Sequence, residues 1–294
     1  MKRQEKQMFV VTGITGKVGA AVAETLLAKG QRVRAVVREA GKGRAWRDRG
    51  CEIAVVPDAT DAQALSAAMQ GAAGVFLMMP PDYDPAPGFP RVHALAEAVR
   101  TAIAAAVPGR VVFLSTVGAQ VPEFNLLNNS AIMETMLGQA KVPVALLRAA
   151  WFLDNAAWDV SAARNGRIES YLQPVERAID MVGTRDIGRL AAELLMESWQ
   201  GRRIVELAGP RKVSPKDIAA AFSKALGRPV EVRAIPREAW EPRFRAEGMQ
   251  HPEDRMRMLD GFNEGWIDFQ REGAEQRTGS TSLDDVISKL IAAA

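Results

Sequence analysis

Residues 8–19 read Met-Phe-Val-Val-Thr-Gly-Ile-Thr-Gly-Lys-Val-Gly, an apolar run that leads directly into a glycine-rich turn. The apolar run predicts a buried strand, and the residues after the turn predict a helix that extends to about Lys29. Gly13 allows the tight bend, Gly16 lets backbone N–H groups approach a phosphate, and Gly19 lets the helix pack closely on the sheet. Because the positive end of the helix points at the turn, the segment is typical of a pyrophosphate-binding site.

The end of the next strand indicates which dinucleotide this site would take. Residues 32–38 read Arg-Val-Arg-Ala-Val-Val-Arg and follow the helix at the spacing of a β-α-β unit, which argues against an ordinary strand-turn-helix. An Asp or Glu at this strand end would bind the ribose 2′-OH of NAD, whereas Arg38 offers a planar cation suited to the 2′-phosphate of NADP. We therefore expect NADP(H) as the cofactor. The alternative is that Arg38 lies on a solvated strand end.

Composition argues against several classes of protein. The chain has 38 Lys and Arg against 35 Asp and Glu, so its net charge of +3 does not indicate a nucleic-acid-binding surface. Cys51 is the only cysteine, which excludes an intrachain disulfide and a thiolate metal site and fits a reducing cytoplasm. His93 and His251 have no second ligand at metal spacing, so no metal is expected. No run is apolar enough for a signal peptide or a membrane span, and we expect a soluble cytoplasmic protein.

Apolar segments alternate with helical segments along the first half of the chain. Strands are expected at 53–56, 74–79, 110–115 and 143–147, with helices beginning near Asp61, Phe89 and Asn129. This alternation is typical of an α/β fold with a doubly wound parallel Rossmann-type sheet in the strand order three-two-one-four-five-six. We assign residues 1–155 to an NADP-binding domain. Residues 156–294 are expected to form a smaller α+β C-terminal lobe at a substrate cleft, with some of the chain crossing back to the sheet.

The loops that follow the strands supply the candidate cofactor contacts, because ligands of such sheets bind at the carboxyl ends of the strands. Asp58 follows the third strand near the expected adenine, and Asp61 would cap the next helix. Met78 begins a loop expected to cover the ribose and pyrophosphate, and Ser115 ends the fifth strand near the expected nicotinamide. The expected cofactor contacts are Gly13, Ile14, Thr15, Gly16, Lys17, Val18, Gly19, Arg38, Asp58, Ala59, Met78, Met79, Pro80, Ser115 and Thr116.

Three segments carry a resemblance to a known family. Residues 11–19 read Val-Thr-Gly-Ile-Thr-Gly-Lys-Val-Gly, and residues 36–38 read Val-Val-Arg. Residues 142–155 read Val-Pro-Val-Ala-Leu-Leu-Arg-Ala-Ala-Trp-Phe-Leu-Asp-Asn and follow a helix that carries Glu134. Together these motifs resemble the NmrA-like branch of the atypical short-chain dehydrogenases/reductases, which includes quinone and azo-dye reductases and redox-sensing regulators. The resemblance extends over nearly the whole chain and implies an NAD(P)-binding Rossmann fold.

The chain departs from the wider superfamily in its catalytic residues. Those dehydrogenases usually use a Tyr-x-x-x-Lys pair as the general acid and its pKa-lowering neighbour. Here the two tyrosines, Tyr83 and Tyr171, both lie outside the region between the fifth and sixth strands, where Lys141 is the only lysine. Some NmrA-like reductases carry a helix lysine near the position of Ser130. The catalytic residues are therefore unknown, and Ser115 and Ser130 are the candidate hydrogen-bond donors, with helix capping as the alternative for Ser130.

Hydride transfer to a quinone remains compatible with this sequence, because the reduced oxygen can take its proton from water or a hydroxyl. Trp151 and Phe152 are the candidate stacking surfaces of the substrate cleft, with core packing as the alternative. The leading hypothesis is an NADPH-dependent reductase of quinone-like, azo or nitroaromatic small molecules, with no nucleic-acid or membrane partner. One alternative is a non-catalytic redox sensor that acts through a protein partner. An enzyme of the isoflavone-reductase type is the least favoured hypothesis. The sequence leaves open whether the protein forms a homodimer.

Overall fold

The computed structural model of the protein describes residues 6–293. The strands are β1 (Met8–Val11), β2 (Arg32–Val37), β3 (Glu52–Val55), β4 (Gly74–Leu77), β5 (Val111–Thr116), β6 (Val144–Ala149), β7 (Trp151–Phe152), β8 (Arg167–Ser170), β9 (Ile179–Val182), β10 (Arg202–Ala208), β11 (Lys212–Val213), β12 (Glu231–Ala234) and β13 (Glu275–Thr278). The α-helices are α1 (Lys17–Ala28), α2 (Arg44–Asp48), α3 (Ala62–Met69), α4 (Pro90–Ala106), α5 (Asn128–Leu137), α6 (Val160–Arg164), α7 (Thr184–Met196), α8 (Pro215–Leu226), α9 (Trp240–Ala246), α10 (Glu253–Glu264) and α11 (Leu283–Ala293).

The central sheet has eight parallel strands in the order β13-β10-β6-β5-β4-β1-β2-β3. The first six strands follow the predicted order, and the doubly wound α/β fold is confirmed. Two strands from the C-terminal half, β10 and β13, extend the sheet beyond β6. The remaining strands form a three-stranded sheet, β11-β9-β7, and a two-stranded sheet, β12-β8. Together with α8, α9 and α10 they make up the α+β part of the C-terminal half.

Both faces of the central sheet are covered, which explains why its strands read as continuous apolar runs. Phe9 and Val11 of β1 belong to one apolar cluster, which also contains residues of α1 and α7. Val10, between them, belongs to a second cluster with residues of α3 and α4. Alternate residues of one strand thus supply two cores on opposite sides of the sheet. Among residues 6–293, no helix has the length and apolar character to cross a lipid bilayer.

The loops at the carboxyl edge of the sheet begin at defined side-chain contacts. The strand expected to reach Met79 ends at Leu77, because the Met78 N–H donates to Thr12 Oγ1 (3.0 Å) and not to a neighbouring strand. The same Thr12 hydroxyl donates to the carbonyl of Phe76 (3.1 Å), so it joins the ends of β1 and β4. Asp61 accepts a hydrogen bond from the Ala64 N–H (3.0 Å) and caps α3 as predicted.

Candidate functional site

The glycine-rich turn between β1 and α1 has the geometry of an anion site. Gly13 adopts a φ of 63°, and a Cβ at Gly19 would overlap the Gly13 carbonyl, so both positions require glycine for the turn itself. At Gly16, by contrast, the one atom within 4 Å of an added Cβ would be Gly13 O at 3.4 Å. Protein packing therefore leaves the space in front of Gly16 open. The first turn of α1 has no side-chain cap and no acidic residue, which leaves its N–H groups available to an anion.

The turn opens into a cavity of ≈ 230 Å³ at the carboxyl edge of β1, β2 and β4. Eight of the expected cofactor contacts line it: Gly13, Thr15, Gly16, Arg38, Ala59, Met78, Met79 and Pro80. The rest of the wall is mainly apolar and reaches under the strand ends to Leu77, Phe113 and Met133. Polar backbone at one end and an apolar wall at the other are the features of a small-molecule site. Phe113 and Met133 have no local sequence signal of a site, because both read as ordinary core residues.

A second cavity of ≈ 170 Å³ continues from the first past Arg38, Ala59 and Pro80. Asp58 and Arg91 line this second cavity. Among residues 6–293, Arg38 has no hydrogen-bond or ion-pair partner, although it borders both cavities. Arg38 thus offers an uncompensated guanidinium at the point where the two spaces meet.

The negative charge of the Asp58 carboxylate is stabilised by hydrogen bonds within a local turn. The backbone N–H and the hydroxyl of Thr60 both donate to Asp58 Oδ1 (2.8 Å each). These hydrogen bonds, helped by the nearby charge of Arg91, hold the pKa of Asp58 below its ordinary value. Asp58 is therefore ionised at neutral pH, and the residues that the structure describes give its Oδ2 no hydrogen-bond partner.

Two contacts hold the walls of the site to the C-terminal half of the chain. The backbone N–H groups of Gln250 and His251 donate to Asp84 Oδ2 (2.7 Å) and Oδ1 (2.6 Å). This pair of bonds, which we term the Asp84 clasp, ties the loop after β4 to the segment before α10. Across the glycine turn, Lys17 Nζ lies 3.6 Å from Asp154 Oδ1. Neither contact is predictable from local sequence patterns, because each joins residues more than a hundred positions apart.

The Asp84 clasp is expected to open as the pH falls. Burial would raise the pKa of Asp84, but the two backbone hydrogen bonds outweigh that effect and leave the pKa lowered. A lowered folded pKa stabilises the clasp at every pH above the ordinary range of an aspartate, and this stabilisation is lost below about pH 4. Replacing Asp84 with Ala should therefore raise amide hydrogen exchange at residues 250 and 251 at pH 7. Asp82→Ala is the control, and equal protection in both variants would contradict the clasp.

Ser115 lies in a buried polar network under the carboxyl edge of the sheet. Its hydroxyl donates to Glu134 Oε1 (2.5 Å). Arg148 Nε and Nη2 donate to the two oxygens of the same carboxylate (2.9 and 2.6 Å), and Arg148 Nη1 donates to Gln270 (2.9 Å). Glu206 lies 3.8 Å from Arg148 Nη1. Ser115 is 4% exposed, so in this structure its proton is directed at Glu134 and away from solvent.

The other sequence-predicted residues lie around the two cavities without lining them. Ile14 and Val18 are buried in the core, so only their backbones face the turn. Thr116 donates to the Val117 carbonyl (3.2 Å), and Ser130 on α5 donates to Asn129 Oδ1 (3.1 Å). The half-buried Trp151 packs edge-to-face on Phe262 of α10, with ring centroids 5.1 Å apart. Phe152, Lys17 and Gly19 are likewise absent from the cavity walls.

The described part of the chain holds no group of three or more His, Cys, Asp or Glu residues arranged to bind a metal ion. The geometry thus consists of two adjoining cavities, an open glycine turn and an unpaired guanidinium.

Known proteins share this architecture. The chain is 28% identical over 265 residues to the NAD(P)H azoreductase of Xenophilus azovorans, covering 87% of this chain and 85% of that protein. It is 27% identical over 238 residues to quinone oxidoreductase 2 of Escherichia coli (strain K12), covering 76% of each. A crystal structure of an NADPH-dependent quinone oxidoreductase from Escherichia coli, complexed with NADPH, shares the fold with a TM-score of 0.78 at 22% identity, over 96% of this chain and 99% of that one. The NmrA-like family profile matches residues 5–265, and the chain belongs to the NmrA-like family, as its motifs predicted.

Proposed function

We propose that this protein is an NADPH-dependent oxidoreductase that transfers hydride to quinone-like, azo or nitroaromatic acceptors. The observation that carries the proposal is the unpaired Arg38 at the junction of the two cavities, in the same cavity as the open turn at Gly16. The relatives named as an NAD(P)H azoreductase and a quinone oxidoreductase support the same reaction class.

The residues present fit NADPH. The free N–H groups at the start of α1 would bind the pyrophosphate, and Gly16 leaves room for it to approach. Arg38 would bind the 2′-phosphate, since a guanidinium pairs with phosphate through two parallel hydrogen bonds. Asp58 and Ala59 would face the adenine, and Met78, Met79 and Pro80 would cover the ribose. When bound, NADPH supplies the hydride.

The chain's own part in the reaction is to orient the acceptor. Ser130 and the hydroxyl of Thr116 are the proposed hydrogen-bond donors to a reduced oxygen, once they turn from their present acceptors, Asn129 Oδ1 (3.1 Å) and the Val117 carbonyl (3.2 Å). Trp151 is the proposed stacking surface. Ser115 would act by holding the end of β5, because its hydroxyl donates at 2.5 Å to the buried carboxylate of Glu134, which Arg148 also binds. The final proton would come from water, because a hydroquinone oxygen needs no strong acid.

A redox sensor that acts through a protein partner is the second candidate. The sequence feature that favours it is the missing Tyr-Lys pair: α5 carries Asn129, Ser130 and Ala131 where a catalytic helix would carry ionisable groups. In this alternative the same groove binds the dinucleotide without turnover.

The test separates binding from turnover. Calorimetric titrations with NADPH, NADP⁺ and NADH come first, followed by NADPH oxidation with a panel of quinones, azo dyes and nitroaromatics. Tight NADPH binding with acceptor-dependent oxidation would support the reductase. Binding without turnover would support the sensor, and the absence of any dinucleotide binding would contradict both.

Arg38 provides a direct test of cofactor choice. Arg38→Ala should weaken NADPH binding roughly 10- to 100-fold, because one or two charge-assisted hydrogen bonds to the 2′-phosphate are lost. NADH binding should change less than about threefold, since NADH has no group there. Arg47→Ala, an exposed change on α2, is the matched control. If Arg38→Ala weakens the binding of NADPH and NADH equally, Arg38 does not bind the 2′-phosphate.

A further inference from the structure

Arg255 is a half-buried cation without a carboxylate partner. Its guanidinium lies over the ring of Phe244, 4.4 Å from the centroid, and over the ring of Tyr83 at 5.8 Å. Its Nη1 lies 3.6 Å from Met249 Sδ. Within residues 6–293, no Asp or Glu oxygen lies within 4.0 Å of it. A guanidinium held between aromatic faces has given up part of its hydration, while the N–H groups at its edge remain able to donate.

Three neighbouring arginines are paired with carboxylates, and Arg255 is not. Arg237 binds Asp260, Arg243 binds Glu169 and Arg245 binds Glu241. The other arginine of α10, Arg257, also has no carboxylate partner among residues 6–293, but it is exposed to solvent and lies over Trp266 at 5.5 Å. Arg255 therefore differs from these four arginines in being half-buried without a carboxylate.

Two exposed aromatic side chains, Tyr83 and Trp158, continue from Arg255, with Tyr83 in contact with its guanidinium. Tyr83 is 50% exposed and Trp158 is 64% exposed. Their rings meet edge-to-face with centroids 6.4 Å apart. Tyr83 lies on the same loop that supplies Met78–Pro80 to the groove, and Trp158 lies seven residues after Trp151. Exposed aromatic pairs of this kind often mark binding surfaces, because their burial against a ligand is favourable.

We infer that Tyr83, Trp158 and Arg255 form an acceptor-recognition site for flat aromatic molecules that carry an anionic substituent, such as a sulfonate or carboxylate. The inference rests on the proposed function, since it names the substrate class of that reductase. The acceptor's outer ring packs on Trp158 and Tyr83, beyond the proposed contact with Trp151, and its anionic group binds the edge of the Arg255 guanidinium. An anionic group bound beside Arg255 supplies the negative charge that no carboxylate among residues 6–293 provides at that position.

The test compares two acceptors that differ in one charge. Anthraquinone-2-sulfonate and 2-(hydroxymethyl)anthraquinone are assayed with NADPH on the wild-type protein, Arg255→Met and the control Arg257→Met. Methionine keeps apolar packing against Phe244. Arg255→Met should raise the KM for the sulfonate about 10- to 100-fold and the KM for the neutral quinone less than about threefold, with kcat unchanged. Arg257→Met should leave both values unchanged.

A binding measurement keeps this inference separate from the proposed reaction. Quenching of tryptophan fluorescence in the presence of NADP⁺ gives the Kd of each anthraquinone whether or not turnover occurs. If no acceptor is reduced, the proposed function fails, while a sulfonate preference that depends on Arg255 still supports the site. Equal losses for both anthraquinones in Arg255→Met would make Arg255 a packing residue, and no loss for either would overturn the inference. Trp158→Leu, an exposed change, should weaken both acceptors alike, and unchanged affinities would exclude Trp158.

Discussion

Replacing Gly16 with valine is expected to abolish measurable NADPH binding without unfolding the protein. An added Cβ at Gly16 meets little of the protein, so the side chain would instead fill the space in front of the turn. Gly16 has φ −94° and ψ 167°, an extended conformation that valine adopts readily. A blocked pyrophosphate site removes the central contact of the dinucleotide, and the loss of affinity should exceed about 100-fold.

The free energy of unfolding of Gly16→Val should stay within about 1 kcal/mol of the wild-type value, because the replacement affects only a helix N-cap. Calorimetric titration with NADPH and urea denaturation measure the two quantities on the same sample. Gly41→Val is the matched control, since nothing lies within 4 Å of its Cβ position and it lines neither cavity. If Gly16→Val binds NADPH with an affinity within tenfold of the wild-type value, the pyrophosphate of the dinucleotide does not bind at this turn.

The second large effect is expected at Arg148, where a change should destabilise the fold. The side chain is 3% exposed and bridges the carboxylates of Glu134 and Glu206, which are 5% and 0% exposed. Arg148→Met would leave two buried carboxylates without their shared cation. Breaking a buried ion pair from one side costs about 3–5 kcal/mol, because the partner keeps its desolvation penalty.

A double variant separates this charge effect from simple loss of packing. The double variant Arg148→Met/Glu134→Met removes the Glu134 carboxylate together with the cation that pairs with it. It should therefore recover part of the stability lost in Arg148→Met. Urea denaturation of the wild type, both single variants and the double variant gives the coupling free energy. Additive losses would indicate that Glu134 and Arg148 contribute independently, and a loss below about 1 kcal/mol in Arg148→Met would contradict the network.

The sequence was most informative where the contacts are local. The strand-turn-helix at residues 8–28 and the cap at Asp61 depend on patterns within a few residues, and both are confirmed. The order of the first six strands is also confirmed, because it follows from the general rules of a doubly wound sheet once the strands are located. The strand ending at Leu77 is shorter than expected, since the Met78 N–H donates to the hydroxyl of Thr12, which follows β1. The spacing of residues in the sequence does not reveal that hydrogen-bond partner.

The parts of the site that sequence reasoning missed all depend on long-range contacts. The Asp84 clasp joins residues 166 and 167 positions apart, and Arg148 meets Gln270 across 122 positions. Ser115 was predicted as a donor near the nicotinamide. Its engagement with Glu134 requires the helix and two strands to be in place, so the residue type alone does not reveal it.

The Asp84 clasp also bears on the timing of the proposed catalytic cycle. Its two short hydrogen bonds hold the loop that would lie over the ribose, so lifting that loop requires both bonds to break. Where the loop must lift for the dinucleotide to depart, departure of the product, and not the chemical step, limits the rate at saturating acceptor. Because each reduction consumes one NADPH, every turnover would then include one opening of the clasp, whatever the NADPH concentration.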